Sequence, residues 1–298
     1  STMMGSGIGE GIDRAEDAIQ QAIASPLLED VDVKDAKGLL INITSNGSLT
    51  NGEFKAIGDH IGSLVNEEEA DVIVMGVPAQ SFRNVLEEAK PFIRPWVPII
   101  NLAKGLEICT KMRMSEIVEE LMPGHPAGIL TGPNLAKEIH FGNAAAAVIA
   151  MVDKSIASRL QTVFSSGLFR VYTNSDVIGC ELGGALKNII AIATGMGDGA
   201  NAGDNTRAAI ITRGLSELTR LGIAMGGKQR TFAGLAGMGD LVATCSSAKS
   251  RNHHVGFQLG RGKKLEQIIE EMNEVAEGVK TAKVVVELAK EYNIDMPI

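Results

Sequence analysis

Residues Asp176–Gly199 read DVIGCELGGALKNIIAIATGMGDG, and the single lysine inside this run decides how the whole chain is read. Val177, Ile178, Leu182, Ala185, Leu186, Ile189, Ile190 and Ala193 recur at helical spacing, while Asn174, Ser175 and Asp176 supply N-cap chemistry. The spacing predicts a helix with one buried stripe. A helical side chain leans back over the turn before it, so Lys187 is expected above Gly183 and Gly184, in space that no side chain fills. An ammonium in so apolar a run needs a partner or a lowered pKa. The plain alternative is a lysine snorkelling at the edge of a core. Two glycines inside a helix cost about 1 kcal/mol each, which calls for a reason.

Outward from this helix, the chain from about residue 155 to 298 carries long helical periodicity and few strand signals, as expected of a mostly α domain. Asn205–Met225 has an apolar side formed by Ala209, Ile210, Leu215, Leu218, Leu221 and Ile223. In Thr231–Thr244, Gly234, Gly237 and Gly239 bracket Asp240, and small residues there permit close approach of backbone. Ser250, Arg251 and Asn252 offer two polar side chains and a guanidinium, a set suited to a phosphate. His253 and His254 are adjacent and so face different ways, which reads as two surface histidines. Glu274–Val279 is a turn with a carboxylate.

Towards the N-terminus, residues 67–154 alternate strand and helix. Ala70–Pro78, Val97–Leu102, Ala127–Leu130 and Ala144–Met151 are apolar runs of strand length, with helical patterns between them. This order implies part of a doubly wound, Rossmann-like α/β sheet, whose ligands collect at the carboxyl ends of strands. Lys104 and Asn134 fall there. Lys104 reads equally as an ordinary loop lysine.

Residues 1–66 open with Met4-Gly5-Ser6-Gly7-Ile8-Gly9-Glu10-Gly11, which invites a dinucleotide-binding reading and fails it. A G-x-G-x-x-G run from Gly5 meets Glu10, one from Gly7 meets Ile12, and no strand precedes either. A helix over Asp13–Ala24, a strand over Gly38–Thr44, a turn at Asn46-Gly47 and a second helix over Glu53–Val65 are expected. The strand is a candidate to pair with the sheet edge near 70–76. On Asp13-Arg14-Ala15-Glu16, Ser25-Pro26-Leu27-Leu28-Glu29, Ile41-Asn42-Ile43-Thr44 and Glu53-Phe54, this segment resembles a piece of the tubulin-like division GTPase FtsZ. That family's nucleotide loop lies earlier in its sequence and is not in this piece, so GTP hydrolysis does not carry over.

The net charge of −8 opposes bulk binding to nucleic acid or to anionic membrane, while leaving room for a local basic site. Cys109, Cys180 and Cys245 are odd in number, widely spaced and free of metal-ligand patterns, as in reduced thiols of a cytoplasmic protein. No apolar run reaches the roughly 18 residues of a membrane span, and no leader precedes the chain, so neither insertion nor export is expected.

With Ala103-Lys104-Gly105-Leu106-Glu107, Gly132-Pro133-Asn134, Glu181–Asn188, Gly237–Thr244 and Ser250-Arg251-Asn252 in order, residues 70–298 resemble the bacterial NAD(P)-dependent glycerol-3-phosphate dehydrogenases. The resemblance implies an oxidoreductase taking sn-glycerol 3-phosphate to dihydroxyacetone phosphate, feeding glycerolipid synthesis, with NAD or NADP as cofactor and a homodimer as a compatible assembly. It implies that Lys187 accepts the C2 hydroxyl proton. Lys104, Gly132, Asn134, Asp240, Ser250, Arg251 and Asn252 would line the substrate site, and Lys104, Ala136, Arg251, Val275 and Glu277 would touch the cofactor. Asn134 stands where the family more often has serine or threonine. The bottom-up chemistry agrees: an alcohol losing hydride needs a base beside it, and a lysine of lowered pKa serves. Two departures matter. The family's first βαβ unit with its glycine-rich loop is replaced by the FtsZ-like piece, and its final helices are missing beyond Met296-Pro297-Ile298. The chain therefore reads as a chimera expected to bind the dinucleotide weakly, and an FtsZ-docking module or an inactive fusion are the competing readings.

Overall fold

The computed structural model describes residues 6–11, 13–24, 53, 56–57, 72–247, 249–272 and 276–298. The chain divides into two compact units, Ser1–Ile73 and Val74–Ile298. In the first, helix α1 (Arg14–Ile23) covers the expected span and buries Ala15 and Ile19 with Ile57. Arg14 Nε meets Glu53 Oε1 at 2.5 Å. Of the second expected helix only Glu53, Ala56 and Ile57 are described, all helical, and the expected strand over Gly38–Thr44 and its turn lie outside the described residues.

Five strands, β1 (Ile73–Met75), β2 (Ile99–Asn101), β3 (Ala127–Thr131), β4 (Ala145–Met151) and β5 (Phe169–Asn174), form one sheet in sequential order. β2 runs parallel to β3, with Ile99 opposite Ala127, and β4 parallel to β5, with Ala145 opposite Phe169. β4 runs antiparallel to β3, Gly128 standing opposite Met151. The connection explains the reversal. Helix α4 (Ala136–His140) has five residues and advances only about 7.5 Å, less than the roughly 17 Å needed to return along β3. β4 starts close to where β3 ends, Thr131 standing opposite Val148. Strand β5 was not foreseen in the helical part of the chain. Its alternating, half-exposed pattern is short, and it forms because β4 offers it an edge.

The remaining helices are α2 (Phe82–Ala89), α3 (Met114–Leu121), α5 (Lys154–Phe164), α6 (Val177–Gly199), α7 (Gly203–Ala224), α8 (Gln229–Phe232), α9 (Asp240–Ser246), α10 (Arg251–Gly260), α11 (Leu265–Glu271) and α12 (Glu277–Glu291). A π-helical turn, Leu235–Gly239, leads into α9. Helix α6 is the axis of this half. Its Leu182, Leu186 and Ile190 pack with Leu218 and Leu221 of α7, Leu241 of α9 and Val284 of α12. By length and composition α6 could cross a membrane, which the sequence reading did not anticipate. Yet 78% of its most apolar window is buried inside the protein, and the core accounts for that apolarity. Its start is set locally: Asp176 accepts from Gly179 N at 2.9 Å, then reaches Lys228 N at 2.8 Å and Thr231 Oγ1 at 2.6 Å.

Helices α6 and α10 meet backbone to backbone. A Cβ on Gly195 would lie 2.1 Å from His253 O, and one on Gly256 would lie 1.9 Å from Ile192 O. Glycine is required at this crossing, and the contact brings the first turn of α10 alongside the helix that carries Lys187.

Candidate active site

Lys187 stands in the middle of α6 and is 5% exposed. It does not snorkel. Its Nζ donates to Asp240 Oδ1 at 2.7 Å and to Thr244 Oγ1, both on α9. Thr244 in turn donates to Asp240 O at 2.6 Å, one helical turn back. The other oxygen of the carboxylate, Asp240 Oδ2, accepts from Lys104 Nζ at 2.6 Å, and the same Nζ donates to Gly132 O at 2.9 Å. One buried carboxylate thus holds two ammonium groups. Burial pushes the Lys187 pKa down to about 8, the charge of Lys104 pushes the same way, and Asp240 opposes both.

The two glycines below Lys187 serve another purpose than the one expected. A Cβ on Gly183 would lie 2.6 Å from Ala236 O in the π-helical turn, and one on Gly184 would lie 3.2 Å from Thr131 Oγ1 and 3.4 Å from Lys104 Cγ. The cleared space is filled by neighbouring backbone and by the stem of the second lysine. There is no open pocket there for the ammonium.

The carboxyl ends of the strands supply the rest. Lys104 follows β2 and Gly132 follows β3 with φ 135°, a turn that aims its carbonyl at Lys104. Asn134 is committed to the fold, its Nδ2 donating to Ala146 O at 3.1 Å and its backbone N–H to Gly132 O at 2.8 Å. Ala136 is exposed at the start of α4. Ser250 caps α10 by accepting from His253 N at 3.2 Å, Arg251 is exposed in that first turn, and Asn252 Oδ1 accepts from Gly278 N at 3.0 Å. Glu277 starts α12, where its carboxylate accepts from Ala79 N at 3.1 Å and from Lys104 N at 3.2 Å, beside a cleft lined by Pro78, Gln80 and Lys280. Val275 lies outside the described residues.

Lys104, Gly132, Lys187 and Asp240 are therefore linked in one bonded set, and Glu277 joins it through Lys104. The side chains of Asn134, Ser250 and Asn252 bond instead to Ala146 O, His253 N and Gly278 N. Sequence reasoning missed Thr244, whose i+4 spacing from Asp240 was a usable signal, and Asn188, whose Nδ2 donates to Lys104 O at 2.9 Å. It also misjudged His253. That ring is half-buried and pairs through Nε2 with Asp198 Oδ2 at 2.7 Å, because α10 lies so close to α6, whereas His254 is exposed.

Known proteins share this sequence and fold. Residues 176–298 match the NAD-dependent glycerol-3-phosphate dehydrogenase C-terminus and residues 64–157 the N-terminus of the same enzymes. A glycerol-3-phosphate dehydrogenase [NAD(P)+] of Sphingopyxis alaskensis is 63% identical over 229 residues, covering 77% of this chain and 69% of that protein. The chain belongs to the NAD(P)-dependent glycerol-3-phosphate dehydrogenase family. It is an oxidoreductase, and the cofactor of its family is NAD or NADP. A family member from Mycobacterium tuberculosis is 59% identical, covering 77% of this chain and 67% of its own length. The crystal structure of the Coxiella burnetii glycerol-3-phosphate dehydrogenase superposes with a TM-score of 0.74 at 38% identity, covering 77% of this chain and 70% of the other. Residues 1–87 match the C-terminal domain of the FtsZ family.

The fit of a dinucleotide to these residues is uneven. At the strand ends, the Glu277 carboxylate, oriented by the N–H groups of Ala79 and Lys104, keeps acceptor capacity suited to the NH2 of a carboxamide, such as that of nicotinamide. Of the glycines of residues 6–11, Gly7 and Gly9 do not suit a pyrophosphate, whereas Gly11, at φ 86° just before α1, has open space beside it. A Cβ on Gly7 would lie 1.8 Å from Ala18 O, and one on Gly9 1.7 Å from Arg14 O, so this stretch runs against the flank of α1. A phosphate cradle would instead turn into a helix N-terminus with its amides free.

Proposed function

We propose that the chain oxidises sn-glycerol 3-phosphate to dihydroxyacetone phosphate with NAD or NADP, and runs the reverse reduction. The observation that carries this reading is the Asp240 carboxylate shared by Lys187 and Lys104 at the carboxyl ends of the sheet. Lys187, as the free amine, takes the C2 hydroxyl proton on Nζ while the hydride leaves C2 and the C2–O bond becomes a carbonyl. NAD(P)+, when bound, supplies the hydride acceptor. Asp240 and Thr244 keep Nζ aimed at one point. Lys104, one carboxylate away, lowers the proton affinity of Lys187 and brings a fixed positive charge to the substrate.

Arg251, with Ser250 and Asn252, is assigned to the substrate phosphate, and Gly132 and Asn134 to the walls of the substrate site. Ala136, Arg251, Val275 and Glu277 are assigned to the cofactor, beside Lys104. In this reading residues 67–154 belong to the cofactor domain and residues 155–298 form the substrate domain. Cytoplasmic placement is supported by three free cysteines. Assembly as a homodimer is supported by large apolar side chains left exposed, among them Trp96 and Leu168.

The test is the change in nicotinamide absorbance on adding dihydroxyacetone phosphate to the purified chain with NADH or NADPH. Turnover that disappears in Lys187→Ala, with the fold retained by circular dichroism, is the expected result. Turnover at the parental rate in that variant would remove Lys187 from the chemistry.

A further inference from the structure

Six residues before Lys187, α6 buries a second charge. Glu181 is 5% exposed and accepts from Asn101 Nδ2 at 3.0 Å, Arg113 Nη1 at 2.7 Å, Ser115 N at 2.9 Å and the Ser115 hydroxyl. Arg113 and Ser115 belong to the start of α3, but Asn101 is the last residue of β2, three residues before Lys104. Asn101 Nδ2 also donates to Gly128 O at 3.0 Å, so the side chain is anchored in the sheet itself.

The second grip on the same segment is Asn188 Nδ2, which donates to Lys104 O. Glu181 and Asn188 are seven residues apart and share one face of α6. Seven helical residues advance about 10.5 Å, and three residues of extended chain span about 10 Å. The helix therefore holds the segment from Asn101 to Lys104 at both ends with matched spacing. Two contacts on one face fix both the axial position and the rotation of α6 against the strand end, where one contact would leave a pivot. Lys187, next to Asn188, projects about 100° round the helix towards Asp240 and Lys104.

Resting on the dehydrogenase reading above, we propose that Glu181, acting through Asn101, is a positioning residue for the lysine pair. It sets where Lys187 stands relative to Lys104. The charged and titratable groups acting on Lys187 are Lys104, Asp240 and Cys245, and of these Lys104 and burial lower its pKa. Loosening the clamp lets Lys187 and Lys104 separate and admits water, so Lys187 becomes more basic.

Two variants of the full chain separate positioning from stability. Asn101→Ala removes the clamp and leaves Glu181 with Arg113 and Ser115. Ser115→Ala removes one Glu181 donor and leaves Asn101 in place. Each is measured in two ways near pH 8: kcat and KM for sn-glycerol 3-phosphate oxidation, and acylation of Lys187 by acetic anhydride, read by mass spectrometry of its peptide. Asn101→Ala is expected to lower kcat and slow Lys187 acylation, each by about three-fold or more, with KM within about two-fold, while Ser115→Ala keeps parental values. If Asn101→Ala does not fold, Asn101→Ser, too short to reach Glu181, carries the same expectation. Parental kcat and acylation in the clamp variant, or equal changes in both variants, would overturn the proposal. A parent chain without turnover would defeat the dehydrogenase reading, while the acylation measurement would still decide the positioning.

Discussion

Lys187 and Lys104 hold opposite oxygens of the same carboxylate, at 2.7 and 2.6 Å from Asp240 Oδ1 and Oδ2. The pair puts two positive charges within reach of one buried negative one, and burial together with the Lys104 charge makes the Lys187 ammonium easier to deprotonate than an ordinary lysine. Its pKa of about 8 gives the two reaction directions opposite pH dependences. Oxidation needs the free amine, so kcat should rise as pH passes through about 8. Reduction needs the ammonium as proton donor, so its kcat should fall over the same range. An ordinary lysine would place both changes near 10.5. Steady-state rates in both directions from pH 6 to 11 check this, and coincident limbs in the two directions would count against Lys187 as the titrating group.

Replacing Lys187 should trade activity for stability. The folded state lowers the pKa from 10.5 to about 8, so the unfolded chain holds this proton more tightly. The resulting penalty is fully present below about pH 8 and vanishes above the unfolded value of 10.5. Lys187→Met should therefore stabilise the protein at neutral pH, by about 1–3 kcal/mol, and the gain should shrink at pH 10.5. Denaturant unfolding at both pH values measures it. Both Lys187→Met and Lys187→Arg should lose turnover, the second because guanidinium does not release its proton in this range.

Arg251 is assigned to the phosphate through charge-assisted bonds worth about 1.5–3 kcal/mol. Arg251→Ala should raise the KM for sn-glycerol 3-phosphate about ten-fold or more, and added inorganic phosphate should inhibit the variant less than the parent. Equal inhibition of the two would point to a different anion site.

Gly256→Ala tests the crossing of α6 and α10. The added methyl would meet the Ile192 carbonyl oxygen at 1.9 Å, and only a shift of one helix relieves it. A loss of about 3 kcal/mol in stability is expected, together with a higher KM, because Ser250–Asn252 open the displaced helix. A thermal melt alongside substrate titration checks both effects, and an unchanged melt would show that the crossing yields at little cost.

The dinucleotide should bind far more weakly than to a chain with the family's glycine-rich loop. Gly7 and Gly9 are packed against carbonyl oxygens of α1, so of the glycines in residues 6–11 only Gly11 stands open to a phosphate, where a cradle needs several amides at a helix N-terminus. Several amide–phosphate bonds at about 1 kcal/mol each raise the dissociation constant by orders of magnitude. Calorimetric or fluorescence titration with NADH and NADPH decides it, and micromolar binding would show that another part of the chain supplies the phosphate site.

Local chemistry was legible wherever it is short-ranged. The apolar spacing of Val177–Gly199, the Asp176 cap and the burial of a lone lysine are properties of neighbouring residues, and they hold in the fold. So do the strand runs Val97–Leu102 and Ala127–Leu130, found as Ile99–Asn101 and Ala127–Thr131, which place Lys104 and Gly132 at the rim of the sheet. Tertiary structure alone decided what the buried charges touch. Gly183 and Gly184 announced a close approach in the sequence, but its occupants, Ala236 backbone and the Lys104 stem, come from segments about 50 and 80 residues away. The grip of Glu181 on Asn101, the His253–Asp198 pair and the sharing of Asp240 by two lysines are likewise long-range. Helical period and capping energy act over one or two turns and say which face is buried. Which polar group meets another inside depends on how helices and strands close against each other, because a buried charge takes the partner that packing brings within about 3 Å.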